Sequence, residues 1–139
     1  MAVVWYSSWQ MECCGEPFAV HDVVEWNLAP HSADDWLPNA VGDDLASRVT
    51  HDEDHHGLRG DARRHRGRVV GIRCASCRYA PTPGGDPRTL YPVVGTAVVV
   101  PVDRVDGREG LDGDLRLNGY LVDLELTDAG ADPDPDQPD

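Results

Sequence analysis

The sequence predicts a mainly β protein: a small antiparallel barrel, SH3-like or OB-like, of about six strands with one or two short helical turns. Short runs in which apolar and polar residues alternate recur along the chain, as expected for strands that bury one face. The 14 glycines and 11 prolines divide these runs at short intervals. No stretch carries a long helical pattern, so helices are expected only as connections.

The first predicted strand, residues 2–11, and the second, residues 23–28, carry most of the large aromatic side chains. Trp5, Trp9 and Trp26 take inward-facing positions on these strands, because successive side chains point to opposite faces. We therefore expect the three indole rings to lie in one core.

Residues 5–18 read WYSSWQMECCGEPF, and residues 20–26 read VHDVVEW. This opening resembles an uncharacterised family of short proteins from high-GC (actinobacterial) bacteria that begin WYxxWQMxCCGxPF. The resemblance implies no activity and no catalytic residue. That family has glycine where this chain has His21, which implies a turn with positive φ that histidine occupies less comfortably than glycine.

Two short helical turns are predicted before residue 50. Ser32 has the side chain of an N-cap and acidic residues follow it, while Pro38 should end the turn. Residues 43–49 form the second candidate. Residues 51–66, HDEDHHGLRGDARRHR, contain almost no apolar side chain, so we expect a long polar loop there.

Four further strands are predicted in the second half of the chain. Residues 67–74 form one, with Val70, Ile72 and Cys74 on one face. Residues 97–102 are so apolar that burial on both faces is expected. The Asn-Gly pair at 118–119 lies between two alternating runs, a pattern typical of a hairpin turn.

These elements predict one barrel domain, residues 1–127, followed by a disordered acidic tail, residues 128–139. The tail reads DAGADPDPDQPD and offers too little apolar surface to offset the entropy lost on ordering.

The formal net charge is −13, with 25 acidic and 12 basic residues. Such acidity argues against nucleic acid and anionic membranes as partners, because both bind a basic surface. A protein is therefore the expected partner. We find neither the pattern of a signal peptide nor an apolar run long enough to span a membrane, and we expect a cytoplasmic protein with reduced thiols.

The cysteines are the candidate metal ligands. Cys74 and Cys77 have the spacing of a zinc knuckle, and Cys13 or Cys14 would have to supply further ligands. Both members of the first pair reach one ion only if they lie on a tight turn. The alternative, which we favour, is that all four are small, reduced and partly buried residues.

Arginines are concentrated between residues 59 and 78. Guanidinium groups pair bidentately with phosphate or carboxylate, so this segment is a candidate anion site. Its candidate residues are Arg63, Arg64, Arg66, Arg73 and Arg78. The alternative, again favoured, is that they neutralise acidic residues of the same chain.

Three functions remain open. The chain is a non-catalytic barrel that binds another protein, an acidic inhibitor or immunity-type protein for a basic partner, or a zinc-binding protein or metal-dependent enzyme that uses Cys74 and Cys77. No phosphate-binding loop, nucleophile elbow or acid–base pair is recognisable. The sequence therefore favours the first function and leans against an enzyme.

Overall fold

The structure is a computed structural model that describes residues 1–13, 15–33, 36–54, 60–106 and 115–127. The side chains of Trp9, Glu12 and Cys13 fall outside this description, as does the predicted acidic tail.

Within the described residues the chain forms ten strands and three short helices. The strands are β1 (Ala2–Ser7), β2 (Phe18–Ala19), β3 (Val23–Pro30), β4 (His51–Glu53), β5 (Arg63–Cys77), β6 (Tyr79–Pro81), β7 (Leu90–Pro92), β8 (Val98–Val102), β9 (Arg104–Val105) and β10 (Arg116–Leu126). The helices are α1 (Ser8–Cys13), α2 (Trp36–Val41) and α3 (Asp43–Ala46).

Five strands close into a barrel in the order β10, β1, β4, β3, β5, and β5 pairs back to β10. The pairs are antiparallel except that β1 and β4 run parallel. Strand β8 joins β5 beyond the end of its pairing with β3. The predicted small, mainly β barrel is confirmed.

The buried apolar residues form two clusters, whereas the sequence predicted one core. The inner cluster includes Tyr6, Leu28 and Tyr120, and the outer cluster, beneath α2 and α3, includes Trp5 and Leu37. Neighbouring residues on β1 point to opposite faces, so its two aromatic rings lie on different sides of the sheet. Trp26 packs on the inner cluster. The expected single tryptophan core is therefore wrong.

The first strand ends earlier than predicted, because residues 8–13 form helix α1. Gln10 anchors this helix through two hydrogen bonds. Its side-chain Nε2 donates to the Glu53 backbone oxygen over 2.8 Å, and its backbone oxygen accepts from the Gly15 N–H. Met11 is buried in the inner cluster. The helix therefore covers part of the barrel interior instead of extending the sheet.

Helix α2 contains Pro38, which was expected to end it. Proline is tolerated there because the first turn of a helix has N–H groups without helical partners, so a missing N–H costs little. Helix α3 lies within the predicted segment 43–49 and is confirmed.

The predicted polar loop is wrong at both of its ends. Residues 51–53 form β4, between β1 and β3, and residues 63–66 begin β5 and pair with β3. A strand of three residues has no detectable period, and the exposed start of β5 carries charge on a solvated face. Between these strands, residues 55–59 lie outside the described part of the chain.

A bulge in β5 changes which residues face inward. Leu124 pairs with Val69 and Asp123 pairs with Gly71, so Val70 is an extra residue and is 45% exposed. Its predicted position on the same face as Ile72 and Cys74, which are buried, is wrong. Strand β8 is not buried on both faces either, because none of its five residues is buried.

The predicted hairpin at 118–119 is absent, since β10 runs through both residues as one strand. Asn118 is a bulge residue, because Leu117 pairs with Ser76 and Gly119 pairs with Ala75. A Cβ on Gly119 would collide with the Tyr6 backbone oxygen and lie 3.0 Å from the Trp5 ring. Glycine is required here by the close approach of β1 and not by a turn.

We expect Gly119→Ala to lower the free energy of unfolding by about 2 kcal/mol or more, because the obstructing oxygen belongs to backbone that cannot move alone. Urea unfolding followed by circular dichroism measures this change. Gly60→Ala is the matched control, since nothing lies within 4 Å of an added Cβ there. Equal stabilities for the two variants would contradict the close-approach explanation.

The turn at Ala19–Asp22 places His21 at φ 84°, as the family resemblance implied. The Asp22 N–H donates to the Ala19 oxygen over 3.1 Å, and the Ala19 N–H donates to Asp22 Oδ2 over 2.9 Å. A type II turn with this conformation at its third residue favours glycine. Among the described residues no other non-glycine residue has positive φ.

His21→Gly should therefore be more stable than His21→Ala by about 1 kcal/mol, because alanine keeps the Cβ that a left-handed conformation disfavours. Both variants lose the imidazole, so their difference isolates the backbone effect. Thermal unfolding of the two proteins side by side is the measurement. A more stable alanine variant would show that the turn changes conformation on substitution.

Candidate binding pocket

A pocket of about 380 Å³ opens between β3 and the corner formed by residues 16–22. Three aromatic rings contribute to its lining, namely those of Tyr6, Phe18 and Trp26. Four carboxylates line it as well, those of Glu16, Asp22, Glu25 and Glu53, together with the guanidinium of Arg64.

The three rings support one another. Trp26 forms an edge-to-face pair with each of the other two rings, with ring centroids 5.1 Å from Tyr6 and 5.0 Å from Phe18. Such edge-to-face pairs add stability beyond the area that they bury. Tyr6 and Phe18 are buried, while Trp26 is half-buried. The aromatic wall is therefore fixed by its own packing before any ligand binds.

Local sequence explains how these rings reach one place. Phe18 is held by the pairing of β2 with β9, where it faces Val105. At Gly15 a Cβ would collide with the Tyr6 hydroxyl and lie 2.9 Å from the Met11 Cα. Gly15, which directly precedes the 16–22 corner, thus makes room for Tyr6 at the base of the pocket.

Burial raises the pKa of the Tyr6 hydroxyl, and the nearby carboxylates of Glu53 and Glu16 raise it further. Tyr6 is consequently protonated at neutral pH and is suited to hydrogen bonding rather than to proton abstraction. Glu53 comes from β4 and is 4% exposed, whereas Glu16 is exposed on the corner. Carboxylates therefore lie at both the base and the mouth of the pocket.

One ion pair crosses the pocket mouth. Arg64 Nε lies 3.7 Å from Glu25 Oε1, and both side chains are more than half exposed. Such a solvated pair contributes little to stability. Among the lining residues the carboxylates outnumber this one guanidinium, so the pocket is electronegative.

Cys74 and Cys77 do not lie on a tight turn, contrary to the premise of the zinc prediction. Both belong to the continuous strand β5, and residues three apart on a strand point to opposite faces. Cys74 belongs to the inner cluster, whereas Cys77 Sγ accepts a hydrogen bond from Asn118 Nδ2 over 3.2 Å. Both thiols are buried and neither is in a disulfide.

The other two predicted ligands lie beyond what the structure describes, Cys13 in its side chain and Cys14 entirely. The described residues contain no group of three or more His, Cys, Asp or Glu side chains that could hold a metal ion. A zinc site with ligands among Cys13, Cys14, Cys74 and Cys77 stays a prediction, as does the favoured alternative of four reduced cysteines without metal.

Asn118 has a role that its sequence context did not reveal. Its amide links the Cys77 thiol to the Tyr79 hydroxyl, which donates to Asn118 Oδ1. Burial raises the pKa of Tyr79 to about 12, and the neighbouring Cys77 contributes to this rise. The bulge in β10 is thus held by buried hydrogen bonds.

The five candidate anion-binding arginines are spread along the chain instead of forming one clamp. Arg63, Arg64 and Arg66 lie at the start of β5, while Arg78 follows its end. At about 3.3 Å per residue, a fifteen-residue strand separates these groups widely. Arg73 lies 4.0 Å from Asp123, so at least this guanidinium and that of Arg64 face acids of the same chain.

The fold and the pocket define a small closed barrel with an acidic, aromatic-walled cavity. The chain belongs to a family of unknown function, DUF6578, whose model matches residues 1–126. This match confirms the resemblance to an uncharacterised family. No curated protein and no solved structure matches the chain. None of the helices in the described part of the chain is long and apolar enough to cross a membrane.

Two neighbouring histidines, His51 on β4 and His65 on β5, lead us to expect that the stability of the fold depends on pH. His51 and His65 have ring centroids 5.9 Å apart, and His51 Nδ1 lies 2.8 Å from Thr50 Oγ1. Burial lowers the pKa of His51 below its usual 6.5, the charge of His65 lowers it further, and Asp52 partly opposes the shift. As pH falls through 6.5 the unfolded chain binds this proton before the folded one, so stability decreases.

We therefore expect the free energy of unfolding to fall as the pH is lowered below neutrality, and to fall less steeply in His51→Gln. Urea unfolding at a series of pH values measures both slopes. Identical slopes for the two proteins would mean that protonation of His51 is not linked to unfolding.

Proposed function

We propose that this chain is a non-catalytic module that binds another protein, and that one side chain of the partner enters the pocket between β3 and the 16–22 corner. The observation that carries the proposal is the wall formed by Tyr6, Phe18 and half-buried Trp26. Tryptophan and tyrosine are enriched among the residues that dominate binding energy at protein interfaces.

Rigidity supports this function. The edge-to-face packing of the rings holds the wall in place, so a ligand meets a preformed surface and little ordering entropy is lost on binding. The pocket volume of about 380 Å³ lies at the small end of the usual range for ligand sites. It suits a single side chain better than an extended cofactor.

The chemistry of the pocket favours binding over reaction. A tyrosine whose pKa is raised by burial and by two carboxylates donates a hydrogen bond at neutral pH but does not accept a proton from a substrate. An inhibitor or immunity-type protein for a basic partner would use the same surface, since carboxylates prevail in the pocket lining.

A panel of short blocked peptides whose central residue is basic, acidic or apolar tests this function. We expect at least one class to shift the NMR resonances of the Trp26 indole and of residues 16–27, while those of α3 stay unchanged. Trp26→Leu should weaken that binding about tenfold or more, as for a central interface residue.

Trp36→Leu is the matched control, because Trp36 lies on α2, outside the pocket lining, and is 40% exposed. It should leave the dissociation constant unchanged. If no peptide class perturbs the pocket resonances at millimolar concentration, the pocket is not a peptide-binding site and the proposal fails.

A further inference from the structure

We infer that the group bound in this pocket is a cationic side chain of the partner, and specifically the guanidinium of an arginine. This inference rests on the proposed binding function and names the chemistry of the ligand. It follows from three features of the pocket: the position of its carboxylates, the half-buried indole ring, and the guanidinium already present at its mouth.

The carboxylates surround the pocket at different depths. Glu53 is buried beside Tyr6, whereas Glu16 and Asp22 are exposed on the corner. A charge at the buried end of a cavity with aromatic walls is screened less by salt and water than a surface charge. A cation that enters is therefore attracted by carboxylates at both depths, and an anion is repelled by them.

The aromatic wall adds a second attraction for a cation. Trp26 is half-buried and lines the pocket, and tryptophan is the aromatic residue that interacts most strongly with a cation at its face. The Tyr6 and Phe18 rings are tilted by 69° and 73° relative to the indole plane, which holds its orientation. The pocket thus combines a fixed aromatic surface with negative charge.

Arginine fits this combination better than lysine. The guanidinium is planar and weakly hydrated, stacks on aromatic rings and pairs with carboxylates through two hydrogen bonds. The lysine ammonium is compact and strongly hydrated, so more hydration is lost when it enters a cavity. Two of the recognition elements, ring and carboxylate, therefore select for the same group.

Arg64 supports the assignment from within the chain. Its guanidinium already approaches Glu25 at the pocket mouth, but its side chain remains 62% exposed, so it does not fill the pocket. This geometry shows that the mouth admits a guanidinium next to a carboxylate. Arg64 also carries the same charge as an incoming arginine and opposes it. Removal of this charge should therefore strengthen arginine binding, whereas removal of a lining carboxylate should weaken it.

The test is a titration of the full chain with blocked tripeptides Gly-X-Gly, where X is arginine, citrulline, lysine, glutamate or leucine, followed through the Trp26 indole resonance. Citrulline keeps the shape of arginine without its charge. We expect the arginine peptide to bind about tenfold more tightly than the citrulline peptide, and its affinity to fall with added salt.

Three variants identify the groups responsible. Glu16→Gln should weaken arginine binding severalfold, and Arg64→Gln should strengthen it, because these changes remove an attractive and a repulsive charge. Glu125→Gln is the matched control, since Glu125 is exposed on β10 and does not line the pocket. All three positions are exposed, so folding should not be affected.

The outcomes separate the two proposals. Tighter binding of the arginine peptide, with the expected signs for Glu16→Gln and Arg64→Gln, supports the inference. Pocket binding by the leucine or glutamate peptide without arginine binding overturns the inference and leaves the binding function intact. Equal binding of arginine and citrulline also overturns it, and absence of binding by every peptide overturns both.

Discussion

The barrel depends on the way in which β5 uses both of its edges. On one edge β3 pairs with residues 63–68 and β8 with residues 72–76, while β10 pairs with residues 67–77 on the other. Because β10 also pairs with β1, β5 returns the sheet to its beginning. Closure satisfies backbone groups that an open sheet would leave at its edges. The pocket follows from this closure, since the β3–β5 pairing places Trp26 and Arg64 on adjacent strands.

The fold depends secondly on strand β1, which is buried on both faces. Tyr6 faces inward and forms the base of the pocket, while Trp5 faces outward and is covered by α2 and α3. A strand packed on both sides has little freedom to shift. Strand β1 is thus packed from both sides, and no residue of the outer cluster lines the pocket.

Sequence patterns predicted the β class, the small barrel and strand β3, because strands are marked by local alternation of apolar and polar residues. Helix α3 lies in the predicted segment 43–49, although its N-cap residue Gly42 makes no side-chain capping hydrogen bond. The Asn118–Gly119 signal failed because the pairing of β10 with both β1 and β5 outweighed the local turn preference. Helix α1 was missed since six residues carry too little periodicity to separate a helix from a strand. Val70 was misplaced because a bulge reverses the alternation that the pattern assumes.

The pocket itself could not be predicted, because its residues come from β1, the 16–22 corner, β3, β4 and β5, and no local pattern reports that they meet. Glu53 is the clearest example: it falls in a stretch of charged residues that looked like a solvated loop, yet it is 4% exposed. Only the parallel pairing of β4 with β1 brings it beside Tyr6. Long-range pairing, rather than residue type, created this site.

The buried position of Glu53 has an energetic meaning that connects fold and function. Removing a carboxylate from water costs stability to the extent that groups inside the protein do not offset the lost hydration. A cation that enters the pocket would recover part of this cost, because it meets a charge that is already desolvated and held by a rigid wall. The burial of Glu53 therefore links the closure of the barrel to the proposed binding function.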